Sequence, residues 1–323
     1  MSGKEKSSDT SFPENTLRPK KIEDYVGQEK IKKHLLVSIS SAKIRKEALE
    51  HIIFYGPPGL GKTTLANIIA NEMGVNIKSS SGPAIEKQSD LVSILSNLEE
   101  GDILFIDEIH RLKPQIEEIL YTGMEDFSVD IMVGTGTGAQ GVKLPLKKFT
   151  LIGATTKLSC LSSPLRDRFG NILKLDFYSD QEIGKILQKN SQTINLNLDD
   201  IIVKMLAKRA RGTPRIANRI LKIIRDYHTI GKNIYEQKEL ENILYDIGID
   251  SLGLDYLDRK YLQTLLEKFA GGPVGLGTIA AAIGEEESTL EDVVEPYLLQ
   301  VGFIERSPRG RKITFSGKEH INQ

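Results

Sequence analysis

The sequence predicts an α/β protein in three parts: a mostly parallel sheet over residues 1–178, a small helical domain over 179–250 and a winged helix over 251–323. Three observations carry this reading. Short apolar runs alternate with helical patterns as far as Tyr178, the signature of a sheet wound by crossover helices. Beyond Tyr178 the strand signal stops and only amphipathic periodicity remains. Near Ser251-Leu252-Gly253 the composition shifts again, and three helical stretches lead into a two-stranded ribbon.

The strand candidates are His51–Tyr55, Ile103–Ile106, Phe149–Gly153 and Ile172–Leu175, with helices at about 62–73, 88–98 and 114–124 between them. A hairpin is expected between Val129–Val133 and Val142–Leu144, its tip the Gly-rich run Gly136-Thr137-Gly138-Ala139-Gln140-Gly141. That run formally matches a dinucleotide fingerprint, but no helix follows it, so it holds no dinucleotide. The helical domain reads as 180–190, 199–211, 214–230 and 236–247. The ribbon runs from Gly302-Phe303-Ile304 to Arg311-Lys312-Ile313-Thr314, with Pro308 and Gly310 at its turn.

The chain has 323 residues, a formal net charge of −1 and one cysteine. A disulfide scaffold and a multi-cysteine metal site are thereby excluded. The five histidines (His34, His51, His110, His228, His320) show no ligand spacing, and Cys160 falls in a polar loop. No apolar run is long enough to span a membrane, and the polar residues 1–16 lack the apolar stretch of a secretory signal. These residues read as a disordered leader, and the expected location is the cytoplasm.

Gly56-Pro57-Pro58-Gly59-Leu60-Gly61-Lys62-Thr63 matches the P-loop pattern between an apolar strand and a helix. Glycines there let backbone N–H groups turn towards phosphate oxygens, and the helix N-terminus adds a positive dipole end. Lys62 reaches the β/γ-phosphates and the Thr63 hydroxyl ligates Mg²⁺. Ile103–Ile106 ends in Asp107 and Glu108, 45 and 46 residues beyond Lys62. A buried strand ending in two carboxylates fits a Walker-B segment, with Asp107 towards the metal and Glu108 polarising the attacking water.

Two arginine motifs gain meaning beside a P-loop. Ser163-Pro164-Leu165-Arg166-Asp167-Arg168-Phe169-Gly170 reads alone as a solvated helix end. Next to an ATP site, Arg168 fits an arginine finger. In Arg211-Gly212-Thr213-Pro214-Arg215, Thr213 suits an N-cap and Pro214 the first helical position. Arg215 then sits in the first turn, where a cation opposes the helix dipole and an anionic partner is favoured.

In their order along the chain, these motifs resemble the RuvB family of AAA+ P-loop NTPases, over about residues 16–315. The match also includes Leu17-Arg18-Pro19, Tyr25-Val26-Gly27-Gln28, Met124-Glu125-Asp126, Gly153-Ala154-Thr155-Thr156 and the wing Glu305–Arg311. The resemblance implies a hexameric, ATP-hydrolysing DNA helicase motor that drives Holliday junction branch migration. It implies a helical lid after the ATPase domain, binding of ATP/ADP with Mg²⁺ at Thr63 and Asp107, and four-way-junction and duplex DNA as substrates. The implied partners are RuvA, through hairpin 129–144, and RuvC in a resolving complex.

Matched residue by residue, the resemblance implies that Leu17 and Arg18 border the nucleotide and that Tyr25 and Val26 line the base pocket. Gly59, Gly61, Lys62, Thr63 and Thr64 hold phosphates. Glu125, Asp126 and Phe127 form a further nucleotide-contacting stretch, and Thr155 or Thr156 is sensor 1. Arg168 is a trans finger, Tyr178 a nucleotide contact and Arg215 sensor 2. Arg306, Arg309 and Arg311 reach DNA from the wing. Two positions depart from the family: Ala139-Gln140-Gly141 stands where an Ala-Arg-Ser is usual, and Lys157 replaces an arginine.

Charge separates the DNA-handling alternatives. Residues 285–295 hold Glu285, Glu286, Glu287, Glu291, Asp292 and Glu295 and no Lys or Arg. Such a helix is repelled by phosphates, which disfavours a sequence-reading regulator. The wing carries Arg306, Arg309, Arg311 and Lys312 with no acid between them, and residues 203–232 hold nine Lys/Arg against Asp226 alone. Near-neutrality is thus an average over segregated patches. A clamp-loader-like AAA+ switch shares every nucleotide residue, and the winged-helix tail argues for the motor over the loader.

Overall fold

The computed structural model of the protein describes residues 17–133 and 140–322. The leader 1–16 and the hairpin tip Gly136-Thr137-Gly138-Ala139 lie outside the described residues.

The first element is helix α1 (Glu29–Arg45), followed by strand β1 (Ile52–Tyr55) and α2 (Lys62–Met73). Next come β2 (Ile77–Ser81), α3 (Gln88–Ser96), β3 (Ile103–Asp107) and α4 (Pro114–Glu125). The hairpin β4 (Ser128–Val133) and β5 (Gln140–Pro145) precedes β6 (Thr150–Thr155), α5 (Ser163–Asp167) and β7 (Asn171–Lys174). Strands β2-β3-β6-β1-β7 form one parallel sheet in that order. Ile52, Ile53 and Phe54 of β1 are fully buried, as a central strand covered on both faces requires. The carboxyl ends of β1, β3 and β6 open on the same edge, where ligands of such sheets bind.

Three elements are absent from the sequence reading: strand β2, helix α1 and a C-terminal helix over Phe315–Ile321. Strand β2 is the edge of the sheet, Ile77-Lys78-Ser79-Ser80-Ser81, and its half-exposed polar residues give no apolar run. Helix α1 buries Ile31, Leu35, Ile39 and Ala42 but leaves Leu36, Val37 and Ile44 exposed, which blurs its period.

Four lid helices follow: α6 (Asp180–Thr193), α7 (Asp200–Arg209), α8 (Pro214–Thr229) and α9 (Gln237–Asp246). Ser179 and Glu182 close a capping box at the start of α6. The lid does not fold around a separate core. Leu187, Leu206, Ile220 and Leu244 belong to the apolar cluster that includes Leu35, Leu65 and Phe54. A second cluster, with Leu91, Leu120 and Phe149, covers the other side of the sheet.

The winged helix contains α10 (Tyr256–Gln263), α11 (Leu276–Ile283) and α12 (Glu287–Thr289), the last running through a π-turn (Leu290–Val294) into α13 (Glu295–Gln300). Strands β8 (Ile304–Ser307) and β9 (Gly310–Ile313) form the wing, and α14 (Phe315–Ile321) closes it. Its core around Tyr261, Leu262 and Leu298 is distinct from the other two. Polar contacts tie this head to the lid. Arg211 is buried and ion-pairs with Asp258 and with Asp255 at 3.3 Å, and its Nε donates to the Gly253 carbonyl. His320 meets Asp250 at 2.8 Å.

Candidate functional site

A cavity of about 560 Å³ lies between the sheet edge and the lid. The loop entering it depends on glycine. Gly61 has φ +102°, and a Cβ there would stand 2.6 Å from the Tyr25 hydroxyl. Gly59 has φ +82°, and its Cβ would strike Thr213 at 2.8 Å. The second contact brings the start of α8 against the P-loop. The Arg215 amide, 3.4 Å from the Gly59 carbonyl, lies at the same junction.

Lys62 is buried, and its ammonium donates to the carbonyls of Gly56 at 2.7 Å and Pro57 at 2.9 Å. Burial lowers its pKa to about 8; Asp107 opposes that shift and Arg215 adds to it. A desolvated ammonium facing an open cavity is a strong attractor for phosphate. Tyr178 donates to the Tyr25 hydroxyl at 2.8 Å, and both hydroxyls lie within 3.2 Å of the Leu60 carbonyl. Burial pushes the Tyr178 hydroxyl up to about 12 and the Tyr25 hydroxyl well above its ordinary value, so both stay protonated. This tyrosine pair holds the P-loop backbone from below.

Leu17, Arg18, Tyr25, Val26, Gly59, Gly61, Lys62, Thr63, Thr64, Asp107, Glu108, Thr156, Tyr178 and Arg215 all line this one cavity. Lys189, Asn218, Arg219 and Lys222 also line it and were not singled out from the sequence. The i, i+4 spacing of Arg215 and Arg219 on α8, and the basic bias of 203–232, were the signals available. Glu108 takes a left-handed backbone, φ 47°, at the end of β3, and its carboxylate pairs with Arg111 at 3.1 Å. Thr213 occupies the N-cap position of α8, but its hydroxyl donates back to the Arg211 carbonyl and caps no amide.

The two sensor candidates separate. Thr156 borders the cavity, whereas Thr155 is 1% exposed behind it. The Thr155 hydroxyl meets His110 Nδ1 at 2.9 Å and accepts the Lys157 amide at 2.9 Å. Burial lowers the His110 pKa, so the ring is held neutral.

Glu125, Asp126, Phe127 and Arg168 lie together but outside this chain's cavity. Arg168 pairs with Glu125 at 2.9 Å, donates to the Pro164 carbonyl at 2.8 Å and stands 4.7 Å over the Tyr121 ring. Asp126 faces Lys143 at 3.5 Å, and Phe127 packs edge-on against Phe149. In the wing, Arg309 is exposed at the turn. Arg306 and Arg311 instead both bind Glu295, at 2.9 and 3.0 Å from their Nε atoms. Glu295 is fully buried and also accepts from the Tyr261 hydroxyl at 2.7 Å. The acidic helix is therefore not a uniformly repelling face: one of its carboxylates anchors the wing.

The donors for a hydrated magnesium are of the right kind, since a threonine hydroxyl and a carboxylate border the phosphate-binding loop. Among the described residues no cluster of three or more His, Cys, Asp or Glu offers an all-protein metal site. Nor is any helix among them long and apolar enough to cross a membrane.

Residues 17–175 match the Holliday junction DNA helicase RuvB P-loop domain, 178–250 the RuvB AAA lid domain and 251–322 the RuvB C-terminal winged helix domain. The chain is 46% identical to the Thermotoga maritima RuvB Holliday junction branch migration motor, covering 95% of this chain and 98% of that one with a TM-score of 0.87. Two mutants of the same Thermotoga maritima protein match over 95% of this chain and 98% of theirs, at 46% and 47% identity and TM-scores of 0.88. A P-loop nucleotide site, an AAA lid and a winged-helix head in one chain, with identity this high across all three, place the protein in the RuvB family of Holliday junction DNA helicases.

Proposed function

We propose that this protein is an ATP-driven motor that moves the branch point of a Holliday junction in recombination and repair, working as a hexameric ring with RuvA. The observation that carries the reading is a division of residues. The phosphate-binding and water-activating groups share one cavity, whereas Arg168, the arginine suited to the transition state, does not border it. An arginine so placed acts on a neighbouring subunit's nucleotide, so hydrolysis requires the ring.

Within the site, Lys62 and Arg215 hold the β- and γ-phosphates, and the tyrosine pair keeps the P-loop in shape. Glu108 accepts a hydrogen bond from a water aligned with the γ-phosphorus. That water attacks and gives a proton to Glu108, the bond from the γ-phosphorus to the bridging oxygen breaks, and ADP and phosphate result. Arg168 of the adjacent subunit neutralises charge on the transferring group, a contribution on the order of 10³–10⁵ in rate. Thr63 and Asp107 are the residues suited to Mg²⁺, which when bound neutralises phosphate charge. The wing meets phosphates without reading bases, as sliding on any sequence demands. Hairpin 129–144 is the docking element for RuvA, and RuvC joins in a resolving complex.

The test is ATP hydrolysis with and without four-way-junction DNA and RuvA, for wild type and Arg168→Ala. Rings mixing Arg168→Ala with Lys62→Ala subunits should recover hydrolysis, because some interfaces then combine an intact loop with an intact finger. Failure of mixed rings to recover assigns Arg168 to its own subunit's site and refutes the shared one.

A further inference from the structure

The acidic helix of the winged-helix head reaches the ATPase domain. Lys157, two residues beyond Thr155, places its ammonium 3.0 Å from Asp292 and 3.8 Å from Glu291. The other oxygen of Glu291 lies 3.9 Å from Nη2 of Arg306 in the wing. Glu291 thus stands between a cation in the loop just after β6 and a cation of the wing. Both separations exceed a hydrogen bond, so the carboxylate is shared and committed to neither.

Each cation is tied to its own site. The Lys157 amide donates to the Thr155 hydroxyl, which also meets His110. His110 follows Glu108 by two residues on the turn after β3. Arg306 is held on its other side by the buried Glu295. A chain of polar contacts therefore runs from the turn after β3 to the wing, and Glu291 is the acid in it that lies within ion-pair distance of both Lys157 and Arg306, while Asp292 also holds Lys157 and Glu295 also holds Arg306. Lys157, Glu291 and Arg306 are all partly exposed. Ion pairs of that kind are weak enough to exchange in each cycle.

We propose that Glu291 is a coupling residue that passes the state of the nucleotide site to the wing by exchanging between Lys157 and Arg306. A DNA phosphate that draws Arg306 outward releases Glu291 to Lys157, which pulls on the segment carrying Thr155. In the reverse direction, a nucleotide-driven shift of Thr155–Lys157 takes Glu291 from Arg306 and frees that arginine for phosphate. Coupling of this kind is reciprocal, so either ligand changes affinity for the other by the same factor. The inference rests on the reading of the chain as an ATP-driven DNA motor.

The experiment uses the full chain with RuvA and four-way-junction DNA. It measures ATP hydrolysis without and with DNA, and DNA affinity in ATPγS and in ADP. Glu291→Gln should leave hydrolysis without DNA within about twofold of wild type and remove most of the DNA stimulation. It should also bring the ratio of the two DNA affinities towards one, from a wild-type ratio on the order of fivefold or more. Lys157→Gln should do the same, Lys157→Arg should retain the coupling, and the double variant Lys157→Gln, Glu291→Gln should be no worse than either single one. Glu285→Gln, an exposed acid in the loop just before the same helix, should behave as wild type. A Glu291→Gln protein that binds DNA more tightly by equal factors in ATPγS and ADP overturns the proposal, because the carboxylate then acts only as a repelling charge. So does unchanged DNA stimulation while wild type responds to DNA. A wild-type protein whose hydrolysis ignores DNA overturns the motor reading and the proposal with it.

Discussion

Arg311 donates from Nε to the Glu295 carboxylate at 3.0 Å, beneath the wing and against a glutamate with no exposure to solvent. The same carboxylate takes Arg306 and the Tyr261 hydroxyl. A buried carboxylate with three donors is stable only while its cations remain. Replacing Glu295 by Gln strands two guanidinium groups, one of them with 20% of its side chain exposed. Because Arg306 is half-exposed, the lower end of the range for breaking a buried pair applies, about 3 kcal/mol. The prediction is a fall in stability confined to the head, read as faster amide exchange in β8 and β9 with the P-loop domain unchanged. Protection of the wing equal to wild type rejects an anchoring role for Glu295.

The same geometry divides the wing arginines. Arg309 is exposed at the turn, whereas Arg311 is tied into the head. Arg309→Ala should weaken duplex binding to a similar degree on any sequence and lower the salt slope by about one ion. Arg311→Ala should also loosen the head, because it leaves Glu295 short of a partner. Binding measured from 50 to 200 mM salt, beside a melting scan of each variant, separates the two. An Arg309→Ala protein with an unaltered salt slope removes that residue from the DNA contact.

Thr156 and Thr155 should fail in different ways. Thr156 borders the nucleotide cavity, so Thr156→Val removes a donor from the reacting phosphate. Hydrolysis should drop on the order of 10²-fold with nucleotide affinity little changed. Thr155→Val instead leaves the Lys157 amide and His110 without their shared oxygen in a buried place. That costs about 1–3 kcal/mol of stability. The pair of measurements is single-turnover hydrolysis and urea unfolding. Equal effects of both variants on both readouts would falsify the assignment.

What the sequence made legible follows from locality. The P-loop, the carboxylates after β3 and the turn before α8 each combine a residue pattern with an adjacent strand or helix, so chemistry and local structure coincide. Relations that depend on distant packing were not legible. Tyr25 and Tyr178 meet across 153 positions to hold the Leu60 carbonyl. Glu295 reads as one more acid in an acidic run, although folding buries it under the wing. Arg211 reads as part of a basic segment, yet folding commits it to Asp255 and Asp258. Strand β2 has one apolar residue because an edge strand needs little more.

His51 gives the ATPase domain an acid-sensitive joint. Its Nδ1 accepts the Leu151 amide at 2.8 Å and its Nε2 donates to the Met124 carbonyl at 3.2 Å, so the ring serves as acceptor and donor only when neutral. Burial lowers its pKa below the ordinary 6.5, opposed by the Met124 carbonyl and by Glu50. The sign follows from linkage. The unfolded chain takes up a proton near pH 6.5 before the folded one does, so the contribution is complete above that pH and is lost as pH falls through the folded value. The slope contributed is at most about 1.4 kcal/mol per pH unit. His51→Gln, which keeps an amide donor and an acceptor but cannot be protonated, should therefore weaken the pH dependence of unfolding between pH 7.5 and 5, by at most about one proton. The protection factor of the Leu151 amide, its exchange relative to that of an unstructured amide at the same pH, gives the local readout: in wild type it should fall below pH 6.5, and in the variant it should not. Parallel acid profiles for the two proteins would show that some other group governs the response.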